Sequence, residues 1–247
     1  MNFTNTHFRC SSLGNIMTES RSKSDPLSET TKTHLIDVYV ANKYGRQEDI
    51  QSKFIEKGLA VEEDSITLYS RVKKEYFKKN EKHLANQYIK GTPDLFSGES
   101  IMSADLIIDI KSSWDIYTFM RVLTKDVNKM YYWQLQGYMA LTGARSAKLA
   151  YCLVNTPDVM IEDEKRKLMY RMGVIDPTGN KLFDEACEKI EASMRFDDIP
   201  LDERLIEFTI DRNDDDIQKM YKRVEECREW LNKFESDRFP NLIIHED

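Results

Sequence analysis

The alternation of apolar and polar residues along the chain predicts a mixed α/β protein. Apolar runs of strand length, rich in branched and aromatic residues, lie near 84–89, 92–97, 104–112 and 146–154. A helical pattern covers about 47–79, and the aromatic-rich segment 131–141 predicts a further helix. An earlier helix is expected to begin near Asp25-Pro26 or at Ser28, and Gly45 is expected to end it. Strands and helices therefore alternate through the middle of the chain.

Two further apolar patterns lie in the C-terminal third of the chain. Residues 205–210 alternate as a strand does, which predicts an extension of the sheet. Residues 214–236 predict a long amphipathic helix. Its apolar stripe consists of Ile217, Tyr221, Val224, Cys227, Leu231 and Phe234. We expect this helix to pack on the core, and a contact between subunits is the alternative.

The length of 247 residues predicts a single domain, 1–247, with a substantial core. The core is expected at about 9–156, followed by a C-terminal extension at about 157–247. Residues 15–33 are rich in Ser, Thr and charge, and they predict a mobile loop. Hydrophobic residues make up 40% of the chain and charged residues 32%, which is the composition of a soluble globular protein.

The sequence favours an intracellular protein with reduced cysteines. No apolar run approaches the length of a membrane span, and the first residues do not begin a signal peptide, so we expect a cytoplasmic location without membrane contact. The cysteines, which are far apart and form no Cys-x-x-Cys pair, are Cys10, Cys152, Cys187 and Cys227. We interpret them as largely buried thiols. The scattered histidines provide no zinc motif.

A net charge of −7 is at first sight evidence against nucleic-acid binding, in which phosphate contacts dominate the affinity. A bound metal would offset acids at a metal site, however, and binding depends on local patches rather than on the sum of charges. One such patch, the lysine cluster, is interleaved with Tyr76 and Phe77 and consists of Lys73, Lys74, Lys78, Lys79 and Lys82. The alternative is that these lysines form a solvated helix face.

The candidate chemistry begins with two acids and a lysine. Asp109 and Lys111 are two residues apart in a strand and share one face, while Leu106, Ile108 and Ile110 face the other way. Asp94 follows a proline, where a neighbouring strand can bring its carboxylate opposite Asp109. Two carboxylates and a backbone carbonyl suit a hard, oxygen-seeking ion that keeps several waters. Lys111 would then hold such a water or help to deprotonate it.

Acid-x-lysine triplets are common, and most of them lie on solvated faces. Asp109 and Lys111 instead continue a run of aliphatic residues, and buried charges need partners or a metal. In the segment 131–141, Gln134 and Tyr138 are four residues apart and share a helix face. An aromatic-rich core helix is the alternative here, but a buried glutamine amide needs partners. Beside a metal site, Gln134 would orient a metal-bound water or a phosphate.

Together these motifs resemble the PD-(D/E)xK nucleases, in particular the RecB-like branch that includes the lambda exonuclease and YqaJ-type viral recombinase families. The matching segments are Thr92-Pro93-Asp94, Asp109-Ile110-Lys111 and Gln134-x-x-x-Tyr138. The resemblance implies a restriction-endonuclease-like core, which is a mixed central β-sheet flanked by helices. The order of elements that it implies, a helix, three strands, a helix and a strand, is the order that the apolar pattern predicts.

Two upstream pieces extend the resemblance. Gly58 precedes Glu62 by four residues and Tyr69 follows it by seven, as in the early helix of the family. By that match Glu62 is the upstream acid that helps to bind or orient a metal, and Glu48 is its rival. The segment Arg9-Cys10-Ser11-Ser12-Leu13-Gly14 resembles the N-terminal serine motif of the family, which contacts a terminal phosphate. Either serine of this segment can be the equivalent one.

The resemblance implies a metal-dependent deoxyribonuclease. We expect an exonuclease that acts on double-stranded DNA ends, 5′ to 3′, in phage-type recombination within a phage-infected or bacterial cell. The implied metal is Mg²⁺, with Mn²⁺ possible, and the implied ligands are Asp94, Asp109, the carbonyl of Ile110, and Glu62. The implied catalytic residues are Glu62, Asp94, Asp109, Lys111, Gln134 and Tyr138, and the implied phosphate contacts are Arg9, Ser11 or Ser12, and Thr92.

The same resemblance implies binding partners for the exonuclease, and two alternative functions remain open. A single-strand annealing protein and a homo-oligomer are the expected partners of the double-stranded DNA exonuclease. One alternative is a structure-specific or defence endonuclease on the same fold. The other is a DNA-binding subunit without catalysis, against which the retention of the complete acid, lysine and glutamine set argues.

Overall fold

A computed structural model describes residues 1–22, 24–48 and 52–238 of the chain. The strands are β1 (Phe8–Arg9), β2 (Leu84–Ala85), β3 (Ile89–Gly91), β4 (Leu95–Ser97), β5 (Leu106–Ser112), β6 (Ser146–Cys152) and β7 (Leu205–Asp211). The helices are α1 (Leu13–Ile16), α2 (Glu29–Tyr44), α3 (Lys53–Ala60), α4 (Glu62–Lys73), α5 (Ile116–Arg121), α6 (Lys129–Thr142), α7 (Asp158–Arg171), α8 (Lys181–Met194) and α9 (Asp214–Arg238). None of the helices in these residues is long and apolar enough to cross a membrane.

A four-stranded mixed sheet forms the centre of the fold, with the strand order β4-β5-β6-β7. β5 and β6 run parallel, and each outer strand is antiparallel to its neighbour. Parallel strands need a crossover connection, and α5 and α6 provide it here. β7 pairs with β6 along its whole length, from Leu205 opposite Cys152 to Asp211 opposite Ser146. The predicted C-terminal extension of the sheet is therefore confirmed.

β5 divides the core into two layers, because successive residues of a strand point to opposite faces. Ile107 belongs to the larger apolar cluster, which includes residues of α6 and α9. Ile108 and Ile110 belong to the smaller cluster, which includes residues of α4. The buried residues on α9 include Ile217, Met220, Val224, Cys227 and Leu231. The prediction that this amphipathic helix packs on the core is thus confirmed.

A second, three-stranded sheet joins the N-terminal segment to the middle of the chain. Its order is β1-β3-β2, with β1 parallel and β2 antiparallel to β3. The single strand predicted at 84–89 is wrong, because a tight turn divides it: the Asn86 side chain accepts hydrogen bonds from the backbone of Tyr88 and Ile89. The apolar pattern does not predict β1, since a strand of two residues has no alternation to detect.

α2 begins at one of the two predicted positions. The Ser28 side chain accepts a hydrogen bond from the backbone nitrogen of Thr31, which caps the helix. Gly45 ends the helix in a left-handed conformation with φ of 63°, as predicted. The loop predicted at 15–33 is wrong at both ends, because α1 extends to Ile16 and α2 begins at Glu29.

The helical region predicted at 47–79 consists of two helices and ends earlier than predicted. A single residue separates α3 from α4, and Lys74 closes α4 with φ of 56°. The chain beyond it is not helical, because the Ser70 hydroxyl accepts a hydrogen bond from the backbone nitrogen of Phe77 at 3.2 Å. Residues 49–51 of the predicted region lie outside the described residues.

The lysine cluster does not form one continuous basic surface. Phe77 between its members is buried in the smaller apolar cluster. Lys73 forms an ion pair with Glu207 at 3.0 Å, and Lys79 forms one with Glu62 at 2.6 Å. The alternative of one solvated helix face is wrong, because α4 ends at Lys73. Contact of these lysines with DNA stays a prediction.

α7 and α8 form a helical hairpin between β6 and β7 that the apolar pattern does not predict. Both helices keep most of their residues half-buried or exposed, because they pack mainly on each other. α7 shows little apolar periodicity, whereas the apolar face of α8 was a usable signal. The four cysteines are unpaired thiols, and three of them are buried, as predicted.

Substitutions at two glycines test how the short N-terminal helix α1 packs. A Cβ atom at Gly14 would lie 2.6 Å from the Cα of Met130 on α6, whereas a Cβ atom at Gly58 on α3 would meet nothing within 4 Å. We expect Gly14→Ala to lower the free energy of unfolding by about 1–3 kcal/mol, because α1 must move away from α6. Gly58→Ala should raise the free energy of unfolding by about 0.5–1 kcal/mol, because alanine favours the helix. Urea unfolding followed by circular dichroism measures both, and equal effects would contradict the close approach of α1 to α6.

Candidate active site

The pairing of β4 with β5 brings the two predicted acids together. Leu95 pairs with Ile108 in antiparallel register, so Asp94 falls opposite Asp109. The Asp94 carboxylate accepts a hydrogen bond from the backbone nitrogen of Ile110 at 2.8 Å. The expectation that a neighbouring strand aligns the two carboxylates is therefore confirmed.

Asn80 fixes the backbone from which Asp94 projects. Its side-chain amide donates to the carbonyl of Pro93 at 2.9 Å, and its backbone nitrogen donates to the carbonyl of Asp94 at 2.8 Å. The residue is buried, which such a structural role requires. Sequence reasoning missed Asn80, because no local pattern marks a residue whose contacts lie in another segment.

Asp109 is almost fully buried, with 1% of its surface exposed. Lys111 lies on the same face of β5, and its Nζ is 2.6 Å from Oδ2 of Asp109. The amide of Gln134 on α6 donates to Oδ1 of Asp109 at 2.9 Å and to the hydroxyl oxygen of Tyr138 at 3.1 Å. The structure thus brings the acid-x-lysine strand and the Gln-Tyr helix, which the sequence predicts separately, into direct contact.

Burial in this site changes the pKa of Asp94 and the pKa of Lys111. Burial, reinforced by the charge of Asp109, raises the pKa of Asp94 to about 7. Burial by itself would lower the pKa of Lys111, but the neighbouring Asp109 carboxylate outweighs burial, and the pKa is raised. The acid pair alone therefore retains a proton near neutral pH, and a bound cation would displace it.

The oxygen atoms of this site fit a divalent cation. The partner of Oδ2 of Asp109 among the described residues is the Lys111 ammonium at 2.6 Å, and a carboxylate oxygen with one such partner has a further lone pair for a metal. Two carboxylates and the carbonyl of Ile110 are hard donors of the kind that Mg²⁺ prefers. Within residues 1–22, 24–48 and 52–238, no three Asp, Glu, His or Cys side chains are grouped closely enough to hold a metal. Glu62 therefore lies outside the inner acid pair.

Of the two rival upstream acids, Glu62 lies at the site. It is the first residue of α4 and lines the same cleft as Asp94 and Asp109. Its charge adds a smaller contribution to the raised pKa of Asp94, after burial and Asp109. Lys79 pairs with it at 2.6 Å. Glu48 is exposed in the segment that follows α2 and does not line the cleft.

The acids lie on the floor of an open cleft of about 550 Å³ with aromatic walls. α3 contributes Phe54 and Leu59 to one wall, and Trp114 lies where the chain leaves β5. Tyr131 on α6 lies over the lysine of the site, with its ring centroid 4.9 Å from the Nζ of Lys111. A polar floor between apolar walls is typical of a ligand-binding cleft.

A second, basic pocket of about 360 Å³ is lined by Tyr138, which lies one helical turn after Gln134 on α6. The parallel pairing of β1 with β3 sets Arg9 opposite Lys90, and Ser11 and Thr92 line the same pocket. Ser12 does not line it, because its hydroxyl donates to the carbonyl of Arg9 at 3.0 Å. Of the two candidate serines, the structure therefore brings only Ser11 to the pocket.

Lys90 and His83 are residues of the basic pocket that sequence reasoning missed. His83 lies with its Nδ1 3.0 Å from the hydroxyl of Thr92. Lys90 reaches the pocket only because β3 pairs with the distant strand β1. A local pattern cannot reveal such a pairing, although the position of Lys90 directly before the Gly91-Thr92 segment was a usable signal.

Comparison with known proteins supports the fold. No family model and no curated protein sequence matches the chain. A phage-related exonuclease from Haemophilus somnus 129PT has a similar structure, with 25% identity, a TM-score of 0.70, and coverage of 95% of this chain and 97% of that one. An alkaline exonuclease from Laribacter hongkongensis, also solved in complex with dAMP, matches with 15% identity, a TM-score of 0.62, and coverage of 97% and 96%. The predicted fold class, a nuclease core of mixed α/β type, is confirmed.

The raised pKa of Asp94 predicts a stability that depends on pH in metal-free buffer. The unfolded chain ionises this carboxyl near pH 4, whereas the folded protein ionises it only near about 7. The ionised acid therefore destabilises the fold most above pH 7, and the cost disappears below about pH 4. Asp94→Asn removes that cost, so it should raise the melting temperature more at pH 8 than at pH 5.

Scanning calorimetry in EDTA measures this difference. Added Mg²⁺ should stabilise the wild-type protein at pH 8 and leave Asp94→Asn unchanged. An equal change in melting temperature at both pH values would contradict the electrostatic coupling of the two acids.

Proposed function

We propose that this protein is a Mg²⁺-dependent DNA exonuclease that degrades double-stranded DNA from its ends, 5′ to 3′, in phage-type recombination. The observation that carries the proposal is the contact between Asp109, Lys111 and Gln134 beside Asp94 at the floor of one cleft. Acids that suit a hard cation, with a lysine and an amide beside them, are suited to the hydrolysis of a phosphodiester. The similarity in fold to two exonucleases supports the same reaction class.

The proposed metal ligands are Asp94, Asp109 and the carbonyl of Ile110, with Glu62 supporting that metal or a second one. Mn²⁺ has the same preference for oxygen ligands and is expected to substitute. A bound metal supplies charge stabilisation at the scissile phosphate and lowers the pKa of a bound water.

The remaining groups of the cleft position the reactants. The ammonium of Lys111, on the same face as Asp109, would activate the attacking water by holding it and by stabilising the negative charge that develops on its oxygen. Gln134 donates to Oδ1 of Asp109 and so fixes the rotation of that carboxylate. Tyr131 covers the lysine and limits its movement. A carboxylate and an ammonium that are held in place need no reorganisation when the phosphate arrives.

The basic pocket is proposed to receive the terminal 5′-phosphate. Arg9 and Lys90 lie side by side, and the hydroxyls of Ser11 and Thr92 provide donors. Among the residues that the structure describes, no Asp or Glu lines this pocket, in contrast to the cleft. A terminal phosphate carries nearly two negative charges, so it favours the basic pocket, while the scissile phosphate favours the cleft with its metal.

The proposal extends to the setting of the protein. A single-strand annealing protein would bind the strand that the exonuclease leaves, and a homo-oligomer would keep the enzyme on its DNA. Both belong to the cytoplasm of a phage-infected or bacterial cell.

The upstream acid has its own test. Glu62→Gln should reduce the rate of digestion by about tenfold or more, because it removes a charge at the cleft. Glu48→Gln is the matched control and should keep the wild-type rate, since Glu48 is exposed away from the cleft. Initial rates on linear duplex in Mg²⁺ measure both variants. The opposite ranking would show that Glu48 is the upstream acid.

Three DNA substrates test the proposed function itself. We expect wild-type protein with Mg²⁺ to digest a 5′-phosphorylated linear duplex, and to digest a 5′-hydroxyl duplex at least about tenfold more slowly, because each charge-assisted hydrogen bond contributes about 1.5–3 kcal/mol. A covalently closed circle should survive, because it has no end.

Arg9→Ala and Ser11→Ala should narrow the difference in digestion rate between the 5′-phosphorylated and the 5′-hydroxyl duplex, whereas Ser12→Ala should leave this difference unchanged. Nicking of closed circles would instead indicate an endonuclease, and DNA binding without cleavage would indicate an idle subunit.

A further inference from the structure

Tyr138 lies between the cleft and the basic pocket. Its side chain lines the basic pocket, and its partner Gln134 lines the cleft. The Gln134 amide donates to the Tyr138 oxygen at 3.1 Å and to Oδ1 of Asp109 at 2.9 Å. A continuous set of hydrogen bonds therefore runs from the wall of one cavity to the buried acid of the other.

The Tyr138 hydroxyl has a proton to donate. Its oxygen accepts from Gln134, and no hydrogen bond between residues of the described part of the chain uses its proton. Burial, and then the charge of Asp109, raise the pKa of this hydroxyl well above its ordinary range. Tyr138 therefore keeps its proton at every pH at which the enzyme would work.

The tyrosine ring is held close to the pocket. A Cβ atom at Gly91, which lines the same pocket, would lie 2.7 Å from Cε1 of Tyr138. Only glycine leaves room for the ring at this position. The carbon next to the hydroxyl-bearing carbon is thus in contact with the backbone beside Thr92, the proposed phosphate donor.

We propose that Tyr138 couples the two cavities: its hydroxyl donates to a terminal phosphate in the basic pocket and, by accepting from Gln134, holds the amide on Asp109. This inference rests on the proposed function, and it adds that a terminal phosphate accelerates hydrolysis as well as binding. Tyr138 acts through Gln134 and is in that respect a positioning residue.

The physical basis is the mutual strengthening of hydrogen bonds in a chain. A hydroxyl that donates to a charged phosphate becomes a better acceptor, so its bond from Gln134 strengthens. The amide is then fixed in the rotation that donates to Asp109 Oδ1. Contacts from Arg9 and Lys90 lie outside this chain and stabilise bound substrate and transition state alike, so they change the affinity without changing the maximal rate.

The test separates rate from affinity in the release of the first nucleotide. A short linear duplex carries 2-aminopurine at its first position and either a 5′-phosphate or a 5′-hydroxyl. Single-turnover release in Mg²⁺, measured over a range of enzyme concentrations, gives a maximal rate and a half-saturating concentration for each end. For wild-type protein we expect the phosphate to raise the maximal rate about tenfold, the effect of one charge-assisted hydrogen bond, and also to lower the half-saturating concentration.

Tyr138→Phe removes the hydroxyl and keeps the ring. It should reduce the ratio of the two maximal rates to about one, while the phosphorylated end keeps its advantage in half-saturating concentration. Tyr132→Phe is the matched control on the same helix, because its hydroxyl bonds to Asp216 on α9 at 2.6 Å, and it should keep the wild-type ratio. Gly91→Ala, which displaces the Tyr138 ring without removing its hydroxyl, should also reduce the ratio. Fluorescence anisotropy of both duplexes in EDTA provides the binding measurement without turnover.

The outcomes distinguish the two levels of the proposal. If Tyr138→Phe keeps the wild-type ratio of maximal rates, the proposed coupling through Tyr138 is wrong. The proposed exonuclease activity and the binding of the terminal phosphate in the basic pocket are not contradicted by that result. The same holds if the phosphate changes only the half-saturating concentration of the wild-type protein. If wild-type protein releases no nucleotide from the 5′-phosphorylated or the 5′-hydroxyl end, the proposed function is wrong. The proposed coupling, which depends on that function, is then wrong as well.

Discussion

The structure depends on the burial of Asp109 beside a second acid. A carboxylate with 1% of its surface exposed needs partners from several directions. The antiparallel register of β4 and β5 supplies Asp94, the alternation of β5 supplies Lys111, and α6 supplies the Gln134 amide. The central sheet and the crossover helix are therefore arranged around one charged group. Like charges held together in this way favour a proton or a cation, and this gives the cleft its chemistry.

Local periodicity was sufficient to predict the parts of the site that lie within one element. The alternation of β5 predicts that Asp109 and Lys111 share a face, and the helical spacing predicts that Gln134 and Tyr138 do. Each of these predictions needs only the geometry of an isolated strand or helix. The resemblance to a nuclease family added the choice of Glu62, which the structure brings to the cleft while Glu48 lies exposed outside it.

Features that depend on distant pairing could not be predicted. Lys90 enters the basic pocket because β3 pairs with β1, and Asn80 supports Asp94 through a loop beyond α4. The strand at 84–89 failed as a prediction because the hydrogen bonds that the Asn86 side chain accepts from the backbone outweigh the apolar pattern. The deciding contact is a strand pairing for Lys90, a side-chain bond between segments for Asn80, and side-chain bonds across a turn for Asn86. Hydrophobic periodicity carries no information on any of these contacts.

The central claim is that the buried acid pair binds a divalent metal, and isothermal titration calorimetry of Mg²⁺ into metal-free protein tests it most directly. Wild-type protein should bind with a measurable heat and release protons near pH 7, because the cation displaces the proton that the pair retains. Asp109→Asn should bind no Mg²⁺ at the same concentrations while remaining folded. Metal binding by Asp109→Asn with the wild-type affinity, or no binding by either protein, would contradict the claim.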